Sequence, residues 1–130
     1  MFCIKPSEIL YSQNSIANKF QNGRLIGEVL DEIVEGKLSV HDLPKIKVTY
    51  IDGHYVSSDN RRLWILKQLE RLGKVSQVIV KTTKSIFKKK SARTNQVKIR
   101  GGSPGGTLSV LESDINYLLS RMTLKDNNGK

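Results

Sequence analysis

The stretch Ile51-Asp52-Gly53-His54-Tyr55-Val56-Ser57-Ser58-Asp59-Asn60-Arg61-Arg62-Leu63 decides how this chain is read. Before it, Ile46, Val48 and Tyr50 alternate with Lys45, Lys47 and Thr49, the period of a half-buried strand. Asp52-Gly53 is a hairpin turn signal, and His54 to Ser57 is the expected returning strand. Ser58 or Asp59 is then placed to cap a helix in which Leu63, Ile65, Leu66, Leu69 and Leu72 form a broad apolar face up to Gly73. The first N–H groups of a helix have no internal partner and sit at the positive end of its dipole, so a helix opening on two arginines is an expected site for a phosphate. Ser58, Asn60, Arg61 and Arg62 are the candidate phosphate-binding residues. Paired arginines at a helix start also occur as solvated surface.

Outward from this stretch, the elements alternate. Phe2 to Ile4 reads as a short strand ended by Pro6, and Pro6-Ser7-Glu8 as the start of a turn or a short helical segment. Tyr11 to Asn22 is polar and weakly patterned. Leu25, Ile26, Val29, Leu30, Ile33 and Val34 recur at helical spacing and stop at Gly36. Gln77 to Lys81 and Gln96 to Arg100 read as strands, and Gly101-Gly102-Ser103-Pro104-Gly105-Gly106 as a flexible connector. Leu111, Ile115, Leu118, Leu119 and Met122 predict a final amphipathic helix opened by Ser109. The order predicts an α+β fold: a single domain over 1–124, built as a small mixed sheet with flanking helices, and a frayed tail over 125–130.

Charge is distributed unevenly. The chain of 130 residues has 22 Lys and Arg against 12 Asp and Glu, a net of +10. No acidic residue lies between Glu70 and Glu112, where ten cations fall. Such a basic half predicts a polyanion partner, nucleic acid or nucleotide first and anionic lipid or an acidic protein second. Candidate nucleic-acid contacts are Lys67, Arg71, the Lys88-Lys89-Lys90 run and Arg93, with Trp64 as a base-stacking platform among cations or, in the simpler reading, a ring packed under the C-terminal helix. No apolar run is long enough to span a membrane, and no secretory signature opens the chain, so an intracellular protein, cytoplasmic or nuclear, is expected. The lone Cys3 offers neither a disulfide nor a thiol cluster.

Three further residues are candidates for chemistry. His54 can act as a general base, and Asp52 and Asp59 can hold a divalent metal beside a phosphate. Their simpler roles are a surface strand residue, a hairpin turn and a helix cap. No histidine pair, cysteine cluster or Walker loop marks a metal or nucleotide site directly.

Taken together, Leu43-Pro44-Lys45-Ile46-Lys47-Val48, Asp52-Gly53-His54-Tyr55-Val56, Asp59-Asn60-Arg61-Arg62-Leu63 and Lys67-Gln68-Leu69 resemble the core of the ParB/sulfiredoxin-like superfamily. The resemblance spans about Ile4 to Lys81; Tyr11 to Ile16 and Val97 to Gly102 also look like ParB-like domains appended to bacterial toxins. It implies a ParB/sulfiredoxin-like fold in which the box Asp59-Asn60-Arg61-Arg62 stands where ParB carries Gly-Glu-Arg-Arg against nucleotide phosphates. Asn60 occupies the position of the sulfiredoxin cysteine, which removes sulfinic acid reduction. With about fifty residues after the core, the helix-turn-helix domain of ParB and centromere-type partitioning are not expected. Two functions stay open: a ParB-like nuclease or nucleotide hydrolase, with a nucleotide or divalent metal as cofactor, and a non-catalytic module that grips nucleic acid or an acidic partner.

Overall fold

The computed structural model describes residues 1–84 and 92–109. Strand β1 (Phe2–Ile4) leads through a 3-10 turn (Pro6–Glu8) into β2 (Ile9–Tyr11) and β3 (Ser15–Ala17). Helix α1 (Ile26–Val34) and a second 3-10 turn (Val40–Asp42) precede the hairpin β4 (Lys47–Ile51) and β5 (His54–Ser57). Helix α2 (Asn60–Arg71), β6 (Val78–Thr82) and β7 (Lys98–Arg100) complete the described elements.

Five strands form one mixed sheet in the order β1-β6-β4-β5-β2, and β3 pairs with β7 in a separate two-stranded ladder. The fold is α+β, as the sequence predicts. Asp52 (φ 51) and Gly53 (φ 84) both take the left-handed conformation that the two-residue hairpin turn requires, which sets Tyr50 opposite Tyr55 and Ile51 opposite His54. α2 then carries the chain over the sheet so that β6 returns parallel to β4. The sheet is curled: the Phe2 and Tyr55 rings lie 4.9 Å apart between centroids although two strands separate β1 from β5.

α2 lies inside the domain. Its Leu63, Ile65, Leu66 and Leu69 are buried with Ile4, Ile9, Val48, Val78 and Val80 of the sheet and with Ile46 just before β4, while α1 packs against it with Ile26, Val29 and Leu30 also buried. Because partners lie on both sides, the polar stripe of the helix is covered too: Asn60, Trp64 and Gln68 are all buried. The helix ends where Gly73 (φ 75) lets the Lys74 N–H reach back to the Leu69 carbonyl at 2.8 Å.

The glycine-rich segment over 101–106 is a docked strap rather than a flexible connector. The Gly27 N–H at the start of α1 donates to the Pro104 carbonyl at 2.7 Å, and the Asn18 amide donates to the Gly101 and Ser103 carbonyls at 3.2 and 3.0 Å. A Cβ on Gly27 would overlap the Gly105 carbonyl, so glycine on both sides permits the approach. Beyond it, Asp31 accepts hydrogen bonds from the Thr107 N–H at 2.7 Å and the Leu108 N–H at 3.2 Å. The predicted final helix, the tail over 125–130 and Lys88, Lys89 and Lys90 lie outside the described residues.

Candidate anion-binding site

A cleft of about 330 Å³ opens at the N-terminus of α2, lined among others by Gln13, Phe20, Ser58, Asn60, Arg61 and Arg100. Three elements converge on it. The end of β5 delivers Ser58 and Asp59; the turn between β2 and β3 places Gln13; and the parallel register of β3 with β7 sets Arg100 opposite Ala17.

Asp59 occupies the N-cap position of α2, yet its side chain makes no cap bond. One carboxylate oxygen accepts from the Lys47 N–H at 2.8 Å, and the other is ion-paired with Arg62 at 2.8 Å. With the carboxylate turned to these partners, the backbone N–H groups of Asn60, Arg61 and Arg62 have no partner among the described residues. The first bond within the helix runs from the Leu63 N–H to the Asp59 carbonyl at 3.0 Å.

The two arginines differ in their commitments. Besides the ion pair, Arg62 donates to the Pro44 and Lys45 carbonyls at 2.7 and 3.2 Å, which makes it a brace between α2 and the chain entering β4. Arg61 donates one N–H to the Lys19 carbonyl at 2.9 Å and lies over the Phe20 ring, 5.7 Å from its centroid. That contact fixes the guanidinium plane and leaves further N–H donors on it. The Arg100 side chain has no partner among the described residues. Asp59 is the sole carboxylate lining the cleft, and its charge is balanced by Arg62, so the cavity carries an excess of positive charge.

Asn60 holds the roof. Only 4% exposed, it accepts from the Ser12 N–H at 2.9 Å and donates to the Ser12 hydroxyl at 3.0 Å and the Gln13 side-chain oxygen at 3.2 Å. Its amide is therefore occupied in fixing the turn between β2 and β3, which corrects its expected place as a phosphate ligand. Ser58 is likewise buried, with its hydroxyl 3.3 Å from the Lys47 carbonyl.

The remaining sequence-predicted residues disperse. His54 and Asp52 sit at the turn of the β4–β5 hairpin, and the strand from His54 to Ser57 runs about 10 Å away from it toward the cleft. His54 instead borders a shallow depression with Phe2, Tyr50 and Tyr55. The expected trio of His54, Asp52 and Asp59 is not assembled: two members are at the far end of the hairpin, and the third is held in an ion pair. Among the described residues, no group of three His, Cys, Asp or Glu side chains is placed to hold a metal ion.

Trp64 is 4% exposed in the hydrophobic core, with no free face to stack on a base. Lys67 lies over the Tyr11 ring at 4.9 Å. Arg71 donates to the Gln68 side chain at 2.9 Å and to the Leu108 carbonyl at 2.5 Å, tying the strap to α2; partial burial lowers its pKa from the usual guanidinium value. Arg93 is exposed and donates to the adjacent Ala92 carbonyl.

Arg100 is the site residue that sequence reasoning missed. Its local signal is the alternation of Val97 and Ile99 with Lys98 and Arg100, which marks a strand but not its partner. Pairing with β3, more than eighty residues earlier in the chain, is what brings it to α2. Comparison of the chain with known protein families, with curated proteins and with solved structures finds no match.

Proposed function

We propose that this protein binds phosphate groups of a nucleotide or a nucleic acid in the cleft at the start of α2. The observation that carries the proposal is the convergence of Arg61, Arg100 and the three uncapped N–H groups of α2 on one cavity whose sole carboxylate is already neutralised. Guanidinium forks and oriented backbone N–H groups are the donors that phosphate oxygens accept best. The resemblance of the Asp59-Asn60-Arg61-Arg62 box to the phosphate-contacting box of ParB-like domains supports the same reading. Arg61 and Arg100 act as ligands, Arg62 as a brace, and Asn60 and Asp59 as residues that hold the cleft's shape. The proposal is one of binding, because His54 and Asp52 lie at the far end of the hairpin and Asp59, which lines the cavity, is held by Arg62 and the Lys47 N–H.

The test is a thermal-shift titration with inorganic pyrophosphate, nucleoside triphosphates and single-stranded oligonucleotides on the native chain and on Arg61→Ala. A ligand that binds the folded state alone raises the melting temperature with its concentration. The shift is expected for the native chain and diminished in the variant. No shift with any phosphate compound at low salt would overturn the proposal.

A further inference from the structure

We infer that the phosphate ligand is a polynucleotide strand, held at one phosphate in the cleft and at another by Lys47 and Lys81 on the outer face of the sheet. This inference rests on the anion-binding reading above and names the partner of that site.

Lys47 of β4 and Lys81 of β6 are direct neighbours in the parallel register of the two strands. Their outward direction is fixed by what alternates with them: Val48 and Val80 are both fully buried on the inner face. Both lysines are exposed, as is Lys45 two residues earlier. None of the three belongs to an ion pair among the described residues; the pairs found there are Arg24 with Glu32, Lys37 with Glu35 and Arg62 with Asp59. Like charges directly opposite on adjacent strands repel, and a carboxylate at either position would relieve them. An anion bound from outside relieves them equally well.

The lysine pair lies at the edge of the cleft. The Lys47 N–H donates to Asp59, and its carbonyl accepts from the Ser58 N–H at 3.0 Å; both partners line the cavity. A mononucleotide bound in the cleft leaves the lysine pair unused. A strand with a phosphate at every nucleotide reaches the cavity and the sheet face together.

The experiment compares a fluorescent oligothymidylate with inorganic pyrophosphate, each titrated over a salt series, for the native chain, Lys81→Gln, the double variant Lys47→Gln/Lys81→Gln, and Arg61→Ala. Circular dichroism confirms folding of each variant. A lost phosphate contact lowers the slope of log affinity against log salt by about 0.7 for a single strand, so the double variant, which frees the one phosphate held by the lysine pair, is expected to lower it by about 0.7 and Lys81→Gln by less. Pyrophosphate affinity is expected to stay within about twofold of native in both lysine variants, since the cleft is intact, and to fall in Arg61→Ala. An unchanged oligonucleotide slope in the double variant would overturn the inference while leaving the cleft reading intact. Loss of pyrophosphate binding in parallel with oligonucleotide binding in the lysine variants would also overturn it. Indifference of both ligands to Arg61→Ala would instead overturn the cleft reading.

Discussion

Arg62 and Asp59 face each other across the first turn of α2 in an ion pair of 2.8 Å, and this pair keeps the helix N-terminus uncapped. An aspartate at an N-cap ordinarily turns its side chain to the second or third N–H of its own helix. Here the Lys47 N–H and Arg62 take both oxygens, and the helix donors are left to the cleft.

Removing the brace is therefore expected to cost stability. Arg62→Met deletes the ion pair and the bonds to the exposed Pro44 and Lys45 carbonyls, a loss of about 0.5–1.5 kcal/mol. Because Asp59 and Arg62 share the ion pair, Asp59→Ala should cost less in the Arg62→Met background, where only its bond to the Lys47 N–H is left to lose, with a coupling energy of about 1 kcal/mol in a urea double-mutant cycle. Strict additivity of the two single changes would show that the pair does not work as a unit.

Asn60→Ala is expected to be more damaging than its position on a helix first turn suggests. The Ser12 N–H would lose its buried acceptor, at about 1–3 kcal/mol, and the turn carrying Gln13 would loosen over the cleft. Urea unfolding measures the first effect. The second appears as a weakened pyrophosphate shift, which a variant altered only in stability would retain at matched folded fraction.

Gly27→Ala and Gly23→Ala separate packing from backbone conformation. A Cβ at Gly27 collides with the Gly105 carbonyl and must push the strap off α1, at about 2 kcal/mol or more. Gly23 has φ +87 but open space around it, so alanine there incurs only left-handed strain of about 1–2 kcal/mol. Gly27→Ala should also weaken pyrophosphate binding, since Asn18 ties the strap to the backbone of Arg100. Equal effects of the two substitutions on binding would contradict this link.

The Arg24–Glu32 pair adds a pH dependence. Hydrogen bonding to Arg24 is the main cause that holds the Glu32 carboxyl below its ordinary value, and the pair is partly exposed. A lowered folded-state pKa stabilises the fold above the unfolded value and is lost as pH falls through the folded one. Thermal melts of Arg24→Gln should therefore differ from native at neutral pH and converge with it as pH falls below the ordinary glutamate value of about 4.3. A difference that persisted unchanged into acid would rule out the pair as its source.

The sequence made the elements legible where local chemistry dictates them. Asp52-Gly53 specified its hairpin because this pair readily takes the two left-handed conformations of a tight two-residue turn, and Leu63 to Leu72 specified α2 by its period. What stayed hidden depends on long-range contacts. Trp64 falls on the polar side of a helical wheel, but α2 is covered by α1 as well as by the sheet, so that side is interior. The glycine-rich strap is ordered by the start of α1, far earlier in the chain. Adjacent Arg61 and Arg62 look equivalent, yet the 100° step between them sends one to the cleft over Phe20 and the other to the carbonyls before β4.

The central claim is that Arg61 and Arg100 jointly hold a phosphate at the start of α2. Calorimetric titration of inorganic pyrophosphate into the native chain, Arg61→Ala, Arg100→Ala and His54→Ala tests it most directly. Loss of one charge-assisted contact of about 1.5–3 kcal/mol predicts a weakening of about tenfold or more in each arginine variant, and none in His54→Ala. Native affinity in both arginine variants, or a loss in His54→Ala as large as theirs, would contradict it.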